Sequence, residues 1–246
     1  MNNIEDERTD ENKIYSYQKM LFRYKYARRF LIKGNVLDVG CGYGYGARLL
    51  NKFNYIGIDY YDKAIKFASK THPSAKFIQM KIPSIKFPDC CFDNVICAEI
   101  IEHMPENKGK ILLKEINRVL KQKGVMFLST PNFDNRKKIM ANHTIEYGSK
   151  QLRKMVKDAG FKIVHKGGLS LSFMFGWKYY PKWLKRWYDK SSTSKQKMRA
   201  KKEKSLKEKT ITSLGKIGIK ISGKLMLYLG YLFPKKAEYQ ILICRK

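Results

Sequence analysis

Short apolar runs alternate along the chain with longer segments whose apolar residues recur at helical spacing. Residues 35–39 predict a strand, followed by a glycine-rich turn and a helix over 47–50. Residues 55–58 predict a second strand, 63–69 a helix, 77–79 a third strand and 92–98 a fourth. Ile111, Leu112, Ile116, Val119 and Leu120 fall on one helical face and predict a helix over 109–120. A fifth strand over 124–129 is followed by a helix over 150–159 that Gly160 stops. Residues 161–164 and 238–243 predict the sixth and seventh strands. Ahead of them all, 15–32 is aromatic and basic, without Pro or Gly, and predicts a further helix.

Strands alternating with helices imply an α/β fold, a mostly parallel seven-stranded sheet with helices on both faces. The stretch 169–236 before the last strand is far longer than a hairpin connection needs, so it reads as an insertion or cap. Residues 1–12 are acidic and polar and predict a disordered tail. The folded core is then 13–168 together with 237–246.

The turn after the first strand runs Gly40-Cys41-Gly42-Tyr43-Gly44. Glycines there let backbone approach a nucleotide-like ligand closely, and the next helix offers unpaired N–H groups. Asp59 stands at the end of the second strand, where a carboxylate can accept both hydroxyl hydrogens of a ribose. The spacing Gly40-x-Gly42-x-Gly44-x-Gly46 is tighter than the GxGxxG of nicotinamide and flavin proteins.

Further motifs follow in order: Gly57-Ile-Asp59, Phe87-Pro-Asp-Cys-Cys-Phe-Asp93, Glu99-Ile-Ile-Glu-His103, Arg118 to Gly124 and Ser129-Thr-Pro-Asn132. With the glycine turn, these make residues 20–168 resemble the class I S-adenosylmethionine-dependent methyltransferases, which have a Rossmann-like fold. The similarity is greatest to the branch of ubiquinone-type O-methyltransferases and glycan-associated methyltransferases, whose pattern Phe22-Arg-Tyr-Lys-Tyr-Ala27 also resembles. The resemblance implies S-adenosylmethionine as cofactor, with Gly40 and Gly42 along its methionine portion and Asp59 on its ribose. Lys81 and Ile82 would lie beside the adenine, Ala98 would close the site, and Arg23 and Tyr24 would cover the methionine end. Asp38, Cys41 and Tyr60 complete the expected cofactor-binding set. Lys81 departs from the pattern, because relatives commonly carry an acid there.

Methyl transfer is an in-line displacement at a sulfonium carbon, so positioning dominates, and a hydroxyl acceptor must also lose a proton. His103 lies just past the fourth strand and is a candidate base; His143 opens a segment that could face the acceptor. The resemblance alternatively implies a divalent cation such as Mg2+ held by Glu99, Glu102 and His103. A third alternative is that the Glu-His pair only pins its loop. His72 and His165 read as surface residues.

The formal net charge is +30, from 51 Lys and Arg against 21 Asp and Glu, which favours an anionic contact. Much of it falls in the insertion, where 178–224 hold 16 basic residues against Asp189, Glu203 and Glu208. Aromatics lead that stretch, and Ile211, Leu214, Ile217 and Ile221 follow at helical spacing. Such a segment suits an anionic membrane surface, or packs on its own domain. Nucleic acid is less favoured, since no Asn/Asp-Pro-Pro-aromatic motif and no Pro-Cys nucleophile is present. The five cysteines form no CxxC pair, and no secretory signal pattern opens the chain, so the expected location is the cytoplasm, at the inner face of a membrane. The sequence thus reads as a methyltransferase acting on a small-molecule or lipid-linked acceptor, a glycan or quinone-type precursor. The alternatives are an RNA or protein methyltransferase clamping its substrate with the insertion, and a non-catalytic basic binding module.

Overall fold

The computed structural model describes residues 11–135, 138–169 and 237–246, with side chains from Lys19 onward. Nearly all of the expected tail and insertion lie outside the described residues. The elements run α1 (Glu11–Ala27), β1 (Asn35–Val39), α2 (Tyr45–Leu49), β2 (Asn54–Asp59), α3 (Asp62–Thr71), β3 (Lys76–Gln79) and β4 (Phe92–Ala98). A 3-10 turn (Ile101–His103), α4 (Glu106–Val119), β5 (Leu120–Pro131), α5 (Ser149–Asp158), β6 (Lys162–Leu169) and β7 (Tyr239–Arg245) complete them.

One seven-stranded sheet has the order β3-β2-β1-β4-β5-β7-β6. β1 to β5 pair in parallel, and only β7 runs antiparallel, between β5 and β6. The two halves wind outward from β1 and β4, so a crevice opens at their carboxyl ends, where the connections diverge.

Both faces of the sheet are covered, as the continuously apolar central strands require. On one face Leu37 and Val39 of β1 belong to a core with Leu112, Leu113 and Ile116 of α4 and Leu152, Met155 and Val156 of α5. On the other, Val36, Ile96 and Phe127 belong to a core with Phe22, Tyr24 and Tyr26 of α1. Full burial of each such side chain is worth about 1.5–3 kcal/mol.

Several boundaries differ from the sequence reading, among them the start of α1, which at Glu11 falls inside the expected tail. α1 stops at Ala27, because the N–H groups of Arg28, Arg29 and Phe30 close a turn on the carbonyls of Tyr24, Tyr26 and Ala27. The incoming chain is then clamped to β4, where buried Asn94 accepts from the Ile32 N–H at 2.9 Å and donates to its carbonyl at 2.7 Å. α4 passes straight into β5, because Leu120 already pairs with Phe92. β6 continues to Leu169, which β7 pairs with Tyr239. His165 is not a surface residue: its ring stacks on Phe30 at 4.8 Å and bonds the Tyr26 hydroxyl at 2.8 Å, fastening α1 to β6. His72, too, is half-buried, near Phe77.

Candidate functional site

The expected cofactor residues converge on the carboxyl edge of the sheet. Gly40 to Gly44 follow β1, Asp59 ends β2, Lys81 and Ile82 follow β3, and Ala98 ends β4. Gly40 has φ 75 and Gly42 φ 52, both in the left-handed region that glycine tolerates. A Cβ on Gly40 would stand 2.0 Å from the Cδ1 of half-buried Ile100, so that side chain would have to turn aside. A Cβ on Gly42 would meet nothing within 4 Å. That position is held open on its outer side while its backbone is fixed from below.

Asp59 does the fixing. Its Oδ2 accepts the Gly42 N–H at 2.9 Å and its Oδ1 the Tyr61 N–H at 3.0 Å. Each carboxylate oxygen retains a further acceptor site. The half-buried Asp59 therefore meets the requirement for binding a vicinal diol beside an open backbone turn. Cys41 contributes only backbone, because its side chain is buried and faces Gly57; burial also raises the thiol pKa far above its ordinary value. Tyr60 and Lys81 are exposed, Ile82 and Ala98 half-buried.

Asp38, one strand inward, is a buried carboxylate whose Oδ2 accepts the hydroxyls of Tyr24, at 2.7 Å, and of Tyr55. Burial pushes its pKa up to about 6 despite those two hydrogen bonds. Its Oδ1 has no hydrogen-bond partner among the described residues. Tyr24 thus holds the acid beneath the turn. Tyr55 escaped the sequence reading, although a strand acid in an apolar run demands buried donors.

Arg23 and Glu99 form an ion pair at 2.9 Å. Arg23 also lies over the ring of Tyr239, 4.8 Å from its centroid, and Glu99 accepts the Ser129 hydroxyl at 3.0 Å. Glu99 sits at φ 58, an unusual backbone state for a non-glycine residue at the mouth of the crevice.

Beyond it, Glu102, His103 and His143 offer one ligand atom each within 4.8 Å of one another. The imidazoles of His103 and His143 meet edge to face at 5.0 Å. The Nδ1 of His103 donates to the Asn142 carbonyl at 3.0 Å, and the Nδ1 of His143 bonds the Glu146 carboxylate at 2.7 Å. Fully buried Glu102 accepts the Thr130 hydroxyl at 2.9 Å through Oε2; its Oε1 has no partner among the described residues. Burial, then the charge of Glu99, raises the Glu102 pKa well above the ordinary carboxylate range. The N–H groups of Thr144 and Ile145 bond the Glu102 carbonyl, so the loop carrying His143 is tied to the turn carrying Glu102 and His103. The cation set implied by the resemblance therefore does not assemble: Glu99 turns to Arg23 and Ser129, and His143 takes the place beside Glu102 and His103. Glu146 and Thr130 were not anticipated: Thr130 reaches Glu102 from 28 residues away, and Glu146, three residues past His143, lies in a loop whose pairing no periodicity reveals.

This fold and this edge define the class I methyltransferases. Residues 37–128 match the family model of a methyltransferase domain. A probable S-adenosylmethionine-dependent methyltransferase of Mycobacterium tuberculosis is 32% identical over 142 residues, covering 55% of this chain and 51% of that protein. A sterol 24-C-methyltransferase of Aspergillus fumigatus is 34% identical over 158 residues, covering 55% and 41%. A 2-methyl-6-phytyl-1,4-hydroquinone methyltransferase of Synechocystis is 34% identical over 113 residues, covering 44% and 35%. The chain thus spans about half, or less, of the length of the curated relatives it matches. A solved methyltransferase from Archaeoglobus fulgidus shares the fold, with TM-score 0.60 at 16% identity, over 96% of this chain and all of that one.

Proposed function

We propose that this chain transfers a methyl group from S-adenosylmethionine to a hydroxyl of a small or lipid-linked acceptor, of glycan or quinone-precursor type. The observation that carries the cofactor half is the link between the open Gly42 backbone and the Asp59 carboxylate. Asp59 receives the ribose hydroxyls, and Asp38 meets the cationic amino group with its remaining oxygen. Arg23 and Tyr24, part of or packed under the crevice wall, keep the methionine end dry. Tyr60, Lys81 and Ile82 flank the adenine.

The acceptor lies on the far side of the turn, toward His103 and His143. Its oxygen attacks the sulfonium methyl, the sulfur–methyl bond breaks, and S-adenosylhomocysteine leaves. The hydroxyl proton passes to this cluster, whose neutral imidazoles carry a free lone pair once Nδ1 is engaged. A lipophilic acceptor is supported by two relatives named for a sterol and a phytyl hydroquinone. The +30 charge supports work at an anionic lipid face on the cytoplasmic side; no helix among the described residues is long and apolar enough to cross a membrane. A carbon acceptor is the second reading, supported by the sterol 24-C relative; the carbocation that methylation leaves must then give up a proton in its turn.

Calorimetric titration with S-adenosylmethionine tests the reading, with Asp59→Ala expected to weaken binding at least tenfold, about 1.4 kcal/mol. Absence of heat for the unaltered chain would sink it. The methylated atom in the product formed from a quinol acceptor separates hydroxyl from carbon transfer, and loss of that product in His103→Ala and His143→Ala tests the base.

A further inference from the structure

The cluster of Glu102, His103 and His143 is built more elaborately than a base requires. A backbone carbonyl can only accept, so the Nδ1 of His103 carries the proton and the lone pair of the neutral ring is on Nε2. The Glu146 carboxylate fixes His143 in the same tautomer. An outer oxygen orienting Nδ1–H while the other nitrogen is offered inward is the arrangement that metal-bound histidines adopt. Here the outer oxygen on Nδ1 occurs twice, on two rings that meet edge to face at 5.0 Å. The third member, Glu102, is fully buried with one oxygen lacking any partner among the described residues, an unmet acceptor beside two imidazoles. Glu99 and Arg23 pair with each other, which leaves Glu102 as the carboxyl ligand, whose proton a bound metal would displace.

We propose that Glu102, His103 and His143 bind one divalent transition-metal ion of the zinc class, with Glu146 and the Asn142 carbonyl orienting the imidazoles. This rests on the acceptor-side reading of the same cluster. Two nitrogens and one oxygen suit zinc, cobalt or iron; Mg2+ demands an oxygen shell that this set lacks. Ligands about 2.1 Å from a tetrahedral ion lie roughly 3.4 Å apart, so the present separations, all within 4.8 Å, need to close by no more than roughly 1.4 Å on binding. Exposed His103 can supply that movement, while Glu102 and His143 are held by the core and by Glu146. Three protein ligands leave a coordination position open, where such an ion would act as a Lewis acid on a hydroxyl; with both imidazole lone pairs on the ion, the proton of that hydroxyl would leave to water rather than to an imidazole.

The test titrates the full, chelator-treated chain with Co2+, read by visible absorption, and then displaces it with Zn2+. One equivalent is expected to bind, and millimolar Mg2+ is expected not to compete. His143→Ala should weaken Co2+ binding by roughly 100-fold or more, and Glu146→Gln by roughly 10- to 100-fold. His103→Ala, on an exposed side chain, repeats the first-ligand test where folding is not at stake, and near-ultraviolet dichroism verifies each variant. Glu99→Gln should leave affinity within about threefold, because that carboxylate lies outside the set. No stoichiometric Co2+ binding, binding indifferent to His103→Ala and His143→Ala, or displacement by Mg2+ would each overturn the proposal. Cofactor binding is titrated separately on the metal-free chain. Cofactor heat without Co2+ binding removes the metal site alone, and Co2+ binding without cofactor heat removes the methyltransferase reading alone.

Discussion

Arg23 on the first helix and Glu99 at the end of the fourth strand form an ion pair at 2.9 Å, with only 8% and 21% of their side chains exposed. The pair joins an N-terminal helix to the mouth of the crevice, and Tyr239 on the last strand stacks beneath the guanidinium. Three segments remote in sequence are thereby held at one point. Glu99 takes up its left-handed backbone state at that same point.

Truncating one partner of a largely buried pair strands the other charge, at a cost of about 3 kcal/mol. Arg23→Ala is therefore expected to lower stability in urea by about that amount and to weaken cofactor binding. Arg23→Lys restores the charge but not the planar fork, so it should recover only part of the stability. Equal unfolding midpoints for all three chains would show that the pair contributes nothing.

Asp38 gives a prediction in pH. Its folded-state pKa is raised to about 6 by burial, against an ordinary value of 3.8. The folded chain consequently binds this proton more tightly than the unfolded chain. The resulting stabilisation is complete below about pH 4 and is lost as pH rises through about 6, amounting to roughly 3 kcal/mol. Asp38→Asn keeps an oxygen that accepts both tyrosine hydroxyls and removes the titration. The difference in unfolding free energy between the two chains should move in the variant's favour from about pH 4 to about pH 7. A difference that stays constant across that range would refute the assignment. The same variant should bind S-adenosylmethionine more weakly, so the acid is kept at a cost in stability.

What could be read from the sequence and what could not divide along one line. The glycine turn, Asp59 and the alternation of strands and helices are local, because backbone freedom, period and strand ends are properties of adjacent residues. Partners across the sheet are not. Tyr55 is on the strand next to Asp38, His143 is on a loop that returns to His103, and Tyr239 reaches Arg23 from the far end of the chain. The Glu99-x-x-Glu102-His103 spacing suggested a shared set, but the Glu99 carboxylate pairs with Arg23 and Ser129, both remote in sequence. The antiparallel place of the last strand, between the fifth and sixth, was likewise set by packing rather than by its own apolar run.

The basic surface of the last helix and sixth strand bears on the partner. Lys150, Arg153 and Lys157 stand with Lys162 and Lys166 on one side of the molecule. Each Lys or Arg close to an anionic bilayer contributes about 1 kcal/mol. Replacing Lys150, Lys157 and Lys162 together by Gln should lower partitioning onto vesicles of about 30 mol% phosphatidylserine by roughly 100-fold, with neutral vesicles bound weakly throughout. Unchanged partitioning, or equal binding to neutral and anionic vesicles, would count against a lipid face. Salt-sensitive retention of single-stranded RNA in its place would favour the nucleic-acid alternative.

Two glycines of the turn separate packing from ligand contact. Both have positive φ, so an alanine at either position pays a left-handed backbone penalty of about 1–2 kcal/mol. At Gly40 the added methyl would also collide with Ile100, 2.0 Å away. Gly40→Ala should therefore destabilise the fold by the backbone term plus the cost of turning the half-buried Ile100 side chain aside, more than Gly42→Ala does. At Gly42 the methyl enters open space, and the hydrogen bond from its N–H to Asp59 survives. Gly42→Ala should unfold only about 1–2 kcal/mol more easily, yet lose at least tenfold in S-adenosylmethionine affinity, because the methyl occupies the ligand's side of the turn. Thermal unfolding and calorimetry on the two variants check the contrast. A Gly42→Ala chain that bound the cofactor normally would mean that the open space above this glycine is not where the ligand lies.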